Sequence, residues 1–249
     1  MIHVTLRPTI GHDGPPEVRH NGAMPADHHP AHFLDDKALD PERLRSLAKA
    51  RLLAHPAAAP DAHSGPSDYD LNPNLHPSLG PAHTAPLIAA AVLVPVTIKS
   101  PMTVLLTERT AHLSAHAGQI AFPGGKIDAT DRDACAAALR EAEEEIGLDP
   151  ALVEPLGYLE PYRTGTGYII TPVVALIVEN FTPKPDPAEV AGTFEVPLHF
   201  LMDERNHRID SREWRGSERH FYAMPYEQRY IWGATAGIIR ALYRRLFTP

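Results

Sequence analysis

Cysteine is almost absent from this sequence, in which Cys135 is the only one among 249 residues. A single thiol excludes an intramolecular disulfide and a cysteine-rich zinc site. Long apolar runs are also missing, because no window reaches membrane-spanning length without a charge or a proline. The opening stretch, MIHVTLRPTIGHDGPPEVRH, lacks the basic and apolar regions of a secretory signal. We therefore expect a cytoplasmic protein without a membrane partner.

Positive charge is scarcer than negative charge, with 23 Lys and Arg against 31 Asp and Glu and a formal net charge of -8. Because nucleic-acid binding rewards a broad basic surface, this balance argues against a general electrostatic grip on DNA or RNA. Any phosphate is expected to be bound locally, on a small molecule. The hydrophobic fraction of 43% can supply a proper core, so we expect a folded protein of enzyme size.

The composition divides the chain near residue 87. Half of the 26 prolines and ten of the 15 histidines precede that position, and proline removes backbone donors and disfavours helix. We predict an N-terminal extension over residues 1–86, mostly loop, with one short helix at about 40–54 that Asp40 is suited to cap. The remaining residues, 87–249, are predicted to form the principal domain.

Short apolar or alternating runs follow this boundary, and they predict strands. They include LIAAAVLVPVTI from Leu87, MTVLLTER from Met102, YIITPVVALIVEN from Tyr168 and GTFEVPL from Gly192. One helix is predicted inside this pattern and a second, IWGATAGIIRALYRRLF, near its end. Strands interleaved with substantial helices, without regular alternation, predict an α/β fold with a mixed sheet packed between helices.

Four glutamates lie within five residues, in the sequence EAEEE that starts at Glu141. At about 100° per residue, Glu141, Glu144 and Glu145 share one face of the predicted helix, whereas Glu143 points away. An adjoining stripe of small apolar residues is predicted to pack on the sheet, which leaves the three carboxylates partly buried at its edge. Because like charges at this spacing repel, we expect a cation among them.

Mg²⁺ or Mn²⁺ is the expected cation, because both prefer carboxylate oxygens and keep waters that a diphosphate can replace. The alternative is a solvated acidic face of an ordinary helix, which is the usual meaning of a charge run. Two features favour the metal site. The run follows the bend FPGG, whose glycines allow the backbone close to a ligand, and it ends at Gly147, an expected helix cap.

From Gly125 onward the chain resembles the Nudix box, G-x5-E-x7-R-E-U-x-E-E-x-G-U, in which U is an aliphatic residue. The second half, REAEEEIGL from Arg140, matches except that Ala142 holds the aliphatic position. The first half departs twice, since Asp131 replaces the first glutamate and one extra residue precedes Arg140. The resemblance implies a Nudix-type α/β/α sandwich and a metal-dependent hydrolase of nucleoside diphosphate linkages.

The stretch LLTERTAHLSAHAGQIAFPGG, which begins at Leu105, is similar to the signature of bacterial coenzyme A diphosphatases in the same superfamily. That signature reads L-L-T-x-R-[SA]-x3-R-x3-G-x3-F-P-G-G. This chain departs from it at Thr110 and at Ser114, where an Arg is expected. If that Arg contacts a substrate phosphate, its loss removes a charge-assisted bond, and Arg109 could still serve. The resemblance implies cleavage of coenzyme A into 3',5'-ADP and 4'-phosphopantetheine.

The resemblance also implies roles for individual residues. Metal ligands are expected to be Glu141, Glu144 and Glu145, with the carbonyl of Gly125 as a further ligand. Arg140 completes the catalytic set, and we expect it to orient the glutamates rather than to touch substrate.

Substrate contacts are expected from residues around the same bend: Arg109, Gly124, Gly125 and Tyr168. Glu189, in a Pro-rich loop, is an additional candidate base or metal ligand. Two other functions stay open at this point. One is a Nudix hydrolase of ADP-ribose, NADH or another nucleoside diphosphate derivative, and the other is a non-catalytic module that binds a nucleotide. Homodimers are common among Nudix enzymes, so a homodimer is a further expectation by analogy.

Overall fold

A mixed sheet of eight strands forms the centre of the computed structural model, which describes residues 39–57, 65–75, 86–111, 118–214 and 216–248. The strands are β1 (Ile88–Thr97), β2 (Thr103–Arg109), β3 (Ile120–Ala121), β4 (Gly124–Lys126), β5 (Val153–Tyr158), β6 (Tyr162–Arg163), β7 (Tyr168–Ile177) and β8 (Val190–Pro197). Their order is β3-β2-β1-β7-β5, with β4 paired to β1, β6 to β7 and β8 to β2. The β1 and β7 strands are parallel, and the other pairs are antiparallel.

Helices cover both faces of this sheet. They are α1 (Pro41–Arg51), α2 (Ala134–Ile146), α3 (Leu198–Leu201) and α4 (Gly233–Phe247). A second, three-stranded antiparallel sheet contains β9 (Arg208–Trp214), β10 (Ser217–Tyr226) and β11 (Arg229–Trp232). The arrangement confirms the predicted mixed sheet between helices. None of the helices in the described residues is long and apolar enough to cross a membrane.

Alternation along the central strands supplies two separate cores. In β1, Leu93 packs with the apolar stripe of α2, whereas its neighbour Val94 packs with residues of α1 and α4. In β7, Val173 and Val174 divide between the same two clusters. Successive side chains of a strand point to opposite faces, so strands buried on both faces are continuously apolar. For this reason the apolar runs in the sequence were sufficient to predict these strands.

The α2 helix is defined by local signals at both ends. The side chain of Asp133 accepts a hydrogen bond from the backbone of Ala136 at 2.8 Å, which satisfies one of the unpaired donors of the first turn. Gly147 ends the helix with φ of 68°, as predicted for a helix cap. The predicted apolar stripe is also confirmed, because small residues such as Ala138 and Ala142 are fully buried against the sheet. This packing fixes which face of α2 the glutamates occupy.

The α1 helix lies within the predicted extension and is shorter than predicted. Asp40 caps it as expected, but Leu52 leaves the helix in an extended conformation. Leu53 instead pairs with Tyr158 at the end of β5 through two backbone hydrogen bonds of 2.9 Å. The division of the chain at residue 87 stays a prediction. Upstream of it, α1 packs against β5 and α4, with Leu44 buried in the larger core.

His207, just before β9, fastens α3 to α4 through a buried imidazole that is 1% exposed. Its Nε2 is 2.7 Å from the carbonyl of Leu201, and its Nδ1 is 3.2 Å from Nη1 of Arg240. A guanidinium can only donate, so Nδ1 accepts and the proton is on Nε2. The ring is therefore neutral in this arrangement. Burial lowers the pKa of His207 to about 4, with Arg240 adding to the effect.

Acid should therefore destabilise the fold through His207. The folded pKa is depressed, so this contribution is complete above the unfolded value of 6.5 and is lost as pH falls toward the folded value. At about 1.4 kcal/mol per pKa unit, the loss between pH 7 and pH 4 is about 3 kcal/mol. The variant His207→Gln keeps a donor and an acceptor but does not titrate. Denaturant unfolding at both pH values should show a smaller pH effect in the variant; equal effects would contradict this.

Candidate active site

A cavity of about 780 Å³ opens beside the central sheet. One part of its wall comes from β4 and the second half of α2, and it carries Gly124, Gly125, Glu141 and Glu145. Another part comes from residues 65–75 and from the three-stranded sheet. Its volume lies within the range of about 300–1,000 Å³ that is typical of small-molecule sites. Groups from distant parts of the chain therefore face one ligand-sized space.

Glu145 is the most buried carboxylate of this cavity, with 5% of its side chain exposed. Its Oε2 accepts a hydrogen bond from the backbone N–H of Gly124 at 3.3 Å, and its Oε1 lies 3.9 Å from Nη1 of Arg109. Burial raises the pKa of Glu145 to about 7, and the Gly124 N–H and Arg109 offset only part of that effect. Because the charged form is disfavoured here, the site would gain from a cation beside it.

Arg140 organises the other carboxylates of α2. Its Nε and Nη2 donate to the two oxygens of Asp131 at 3.0 and 2.9 Å, a bidentate geometry that fixes both groups. Its Nη1 donates to Glu141 at 2.9 Å and to Glu144 at 3.2 Å. The guanidinium holds the pKa of Asp131 below its usual value. Asp131, the departure from the Nudix box, thus takes part in the same network.

The three predicted metal ligands do not occupy equivalent positions. Glu141 has 18% of its side chain exposed, and burial raises its pKa. Glu144 has 62% exposed and does not line the cavity, because its carboxylate reaches back to Arg140 at the i,i+4 spacing. In the part of the chain that the structure describes, no three acidic, imidazole or thiol side chains form a group able to hold a metal ion.

The chemistry of the donor set nevertheless fits a hard divalent cation. Glu141 and Glu145 are both removed from water beside a glycine backbone, and both have raised pKa values. Carboxylate oxygens are the ligands that Mg²⁺ and Mn²⁺ prefer. The geometry also accounts for the missing third ligand, since Arg140 draws both Glu141 and Glu144 toward itself. The assignment of Glu141, Glu144, Glu145 and the Gly125 carbonyl to the metal stays a prediction.

Gly125 faces the carboxylate of Glu141 at close range. A Cβ at this position would lie 2.5 Å from Cδ and Oε2 of Glu141, closer than any real contact of this kind. The obstacle is the end of a flexible side chain, so an alanine here would displace Glu141 instead of distorting the backbone. The glycine therefore leaves space for the carboxylate, as expected where a backbone approaches a functional group closely.

Gly125→Ala should accordingly impair turnover while leaving the fold nearly intact. A displacement of a catalytic group by about 1 Å can cost about 10²-fold in rate, whereas the free energy of unfolding should change by less than about 1 kcal/mol. Steady-state kinetics and denaturant unfolding of the same preparation separate these effects. Gly192→Ala is the matched control, because a Cβ there meets no atom within 4 Å. Full activity of Gly125→Ala would contradict the assignment.

The remaining predicted residues also reach the cavity. Arg109, Tyr168 and Glu189 all line it. Arg109 has a buried Nε that finds no hydrogen-bond partner among the described residues, so an anionic ligand would satisfy it. The loop that carries Glu189 is tied to Thr110 by a backbone hydrogen bond of 3.0 Å, and the Glu189 charge raises the pKa of both Glu141 and Glu145 after larger effects. Ser114 lies outside the described residues.

A wall of the cavity comes from residues 65–75, which sequence reasoning placed in the extension and did not connect to the site. Asp68 accepts hydrogen bonds from the Tyr162 hydroxyl at 2.8 Å and from the Gly165 N–H at 2.7 Å. Asn72 donates to the carbonyl of His220 at 2.7 Å and accepts from its N–H at 2.8 Å. These four bonds join the segment to β6 and β10. Nothing in the local sequence indicates such distant partners.

Sequence reasoning also missed the contribution of the three-stranded sheet. Arg212, Arg219, Phe221 and Trp232 line the cavity. The sequence did contain one sign of a β-hairpin, because the stretches that form β9 and β10 lie on either side of Gly216. The φ of Gly216 is 77°, which suits a tight turn. Frequent charges in SREWRGSERH hide the hydrophobic alternation that would identify these strands.

Comparisons with known proteins give the following similarities. A family model described as NUDIX domain matches residues 87–215. The "Uncharacterized Nudix hydrolase NudL" of Escherichia coli K12 is 47% identical over 154 residues, which cover 61% of this chain and 80% of that protein. The protein of the same name from Yersinia pestis is 44% identical over 158 residues, which cover 63% of this chain and 79% of that protein. The crystal structure of a MutT/nudix family protein from Enterococcus faecalis has a TM-score of 0.40 at 17% identity and covers 66% of this chain and 64% of that one.

Proposed function

The chain belongs to the Nudix family and is a hydrolase of phosphorus anhydrides, and from this premise we propose that its substrate is coenzyme A or a coenzyme A derivative. Hydrolysis of the diphosphate would give 3',5'-ADP and 4'-phosphopantetheine. One observation carries the proposal. Arg109, Gly124 and Gly125, which belong to the stretch similar to coenzyme A diphosphatases, line one cavity together with the buried Glu145.

The roles proposed for individual residues follow from their positions. Glu141, Glu144, Glu145 and the Gly125 carbonyl would hold Mg²⁺ or Mn²⁺, which offsets phosphate charge and acidifies a bound water. Arg140 positions the glutamates through the contacts described above. Arg109, whose guanidinium faces Glu145, would bind a phosphate oxygen of the substrate.

The proposed cleavage needs a group that accepts a proton from the attacking water. Glu189 is an exposed residue at the cavity, and its charge raises the pKa values of Glu141 and Glu145. We assign this role to Glu189. The oxygen of that water forms the new bond to phosphorus, and the bridging oxygen leaves with the other phosphate. Tyr168 also lines the cavity and would contact the nucleotide.

Product analysis by mass spectrometry tests this proposal. Purified protein is incubated with coenzyme A and Mg²⁺ or Mn²⁺, and Glu145→Gln serves as the control. Release of 3',5'-ADP by the wild type alone is the expected result. Survival of coenzyme A while ADP-ribose or NADH is cleaved would contradict the substrate, and Ser114 would then be the first position to examine. If none of these compounds is cleaved, a non-catalytic nucleotide-binding module becomes the better description.

A further inference from the structure

Residues 65–75 run between the two sheets of the protein and contact a strand of each. Ser67 forms an isolated parallel bridge with Arg163 of β6. The backbone N–H of Asp68 donates to the carbonyl of Arg163 at 3.0 Å, which joins the segment to the eight-stranded sheet. Further along the segment, Asn72 bonds to β10 of the three-stranded sheet. The segment therefore links the two sheets at the cavity that both of them line.

The side chain of Asn72 takes the place of a neighbouring strand beside β10. The β11 strand pairs with β10 no further than Ala223, so His220 lies beyond its end. The Asn72 carboxamide accepts from the N–H of His220 at 2.8 Å and donates to its carbonyl at 2.7 Å, as a residue of an antiparallel strand would. Its amide nitrogen also donates to the carbonyl of Asp68 at 2.8 Å. Asn72 is 9% exposed, and these bonds satisfy its buried polar atoms.

The side chain of Asp68 fastens the segment to the turn that precedes β7. Its Oδ1 accepts from the hydroxyl of Tyr162 at 2.8 Å, and its Oδ2 accepts from the N–H of Gly165 at 2.7 Å. The Tyr162 ring lies directly against α4, because a Cβ on Gly237 would be 2.3 Å from the hydroxyl oxygen. The turn leads into Tyr168, which lines the cavity. Asp68 thus holds one wall of the cavity to the sheet and to α4.

These attachments lie away from the groups that are proposed for bond cleavage. Along β1, Ile88 is opposite Tyr168 and Ala91 is opposite Gly125. Three residues of strand span on the order of 10 Å, and Asp68 is bonded to the turn that comes before Tyr168. The segment is therefore placed to affect how the substrate is bound, and not the chemical step.

We propose that Asp68 and Asn72 are positioning residues for substrate binding, because they hold the two sheets and residues 65–75 together as a preformed cavity. The inference rests on the proposed function and deepens it, since it assigns affinity for the substrate to a segment outside the family match. When only part of a population has the binding-competent arrangement, the apparent affinity falls by that fraction. Saturating substrate restores the arrangement, so loss of either residue raises KM and leaves kcat nearly unchanged.

Steady-state kinetics of the full chain with coenzyme A and Mn²⁺ test the proposal in Asp68→Ala and Asn72→Ala. KM should rise about 10- to 100-fold, the range expected when a buried hydrogen-bonded group loses its partner, and kcat should change by less than about 2-fold. Asp68→Asn keeps an acceptor oxygen and should give an intermediate KM. Asp70→Ala is the matched control, because Asp70 accepts from Ser67 within the same segment at 2.6 Å and does not line the cavity.

A fall in kcat with an unchanged KM, or no change in either constant, would overturn the proposal. Circular dichroism identifies an alanine variant that has not folded, and Asp68→Asn then decides. Arg45→Gln removes a different attachment of the upstream chain, since Arg45 binds Glu154 of β5 at 3.0 and 2.8 Å away from the cavity. It should keep the KM of the wild type. An equal rise in KM would mean that Asp68 and Asn72 act only through the stability of the fold.

The choice of substrate separates this inference from the proposed function. If the wild type leaves coenzyme A intact and cleaves ADP-ribose, the proposed substrate is wrong, and the same comparison of KM and kcat is made with ADP-ribose. If neither compound is cleaved, calorimetric titration with 3',5'-ADP and with ADP-ribose replaces the kinetics. The dissociation constant of Asp68→Ala should then exceed that of the wild type by the same factor. Equal affinities, or no binding by the wild type, would contradict the positioning role.

Discussion

Replacing Glu145 by Gln should lower the rate of diphosphate hydrolysis on the order of 10³-fold and make the metal-free protein more stable. The amide keeps the shape of the side chain and an oxygen for the Gly124 N–H, but it lacks the charge that a cation requires. Since burial raises the pKa of Glu145 to about 7, the ionised carboxylate destabilises the native state above that pH. Its removal should add up to about 3 kcal/mol to the free energy of unfolding at pH 8.

The sign of this stability change distinguishes a functional carboxylate from a structural one. The raised pKa means that the stability difference between variant and wild type is absent below about pH 4.5 and grows to its full value above pH 7. Denaturant unfolding in the presence of a chelator measures it. Glu143→Gln is the matched control, because Glu143 is exposed on the other side of the same helix and should change neither activity nor stability. A variant that is both active and less stable would contradict the assignment of Glu145.

Arg140→Gln should raise the Mn²⁺ concentration needed for half-maximal activity by about 10- to 100-fold, the usual effect of losing a group that orients metal ligands. The guanidinium contacts Asp131, Glu141 and Glu144 at once, and a neutral amide cannot reproduce that geometry. Excess Mn²⁺ should restore much of the kcat, because the variant keeps the carboxylates themselves. The measurement is kcat as a function of Mn²⁺ concentration at saturating substrate.

Two comparisons complete the Arg140 experiment. Arg140→Lys keeps one charge without the fork and should fall between the wild type and the Gln variant. Arg132→Gln is the control, because Arg132 is 81% exposed and pairs only with its neighbour Asp133 among the described carboxylates. If Arg140→Gln loses activity that no Mn²⁺ concentration restores, then Arg140 acts on the substrate and not through the glutamates.

Local signals carried most of what could be predicted from the sequence. The ends of α2 were readable because Asp133 and Gly147 act within one turn of their own helix, and the glutamate positions followed from helical spacing. Glu144 shows the limit of that reasoning. Helical spacing places it on the same face as Glu141 and Glu145, but its carboxylate pairs with Arg140 and remains exposed. The side-chain partner, not the helix, decides where its carboxylate lies.

Long-range pairing accounts for what the sequence did not indicate. Arg212 and Arg219 become neighbours only through the register of β9 and β10, and their strands alternate too weakly to be recognised. The composition of residues 65–75 also gave no indication of their position at the cavity. A Pro-rich stretch predicts coil, and a coil prediction does not identify the residues that the segment contacts. Asp68 and Asn72 bond to residues 94 and 148 positions away along the chain, and no periodicity reports such contacts.

The end of the family match at residue 215 falls between β9 and β10. Arg212 therefore lies inside the matched region, whereas Arg219, Trp232 and residues 65–75 lie outside it. The groups proposed for bond cleavage, by contrast, all lie within the match. The cavity is thus lined by residues from inside and from outside the matched region. Substitutions in the flanks would therefore reshape one side of the cavity while leaving every residue proposed for hydrolysis unchanged.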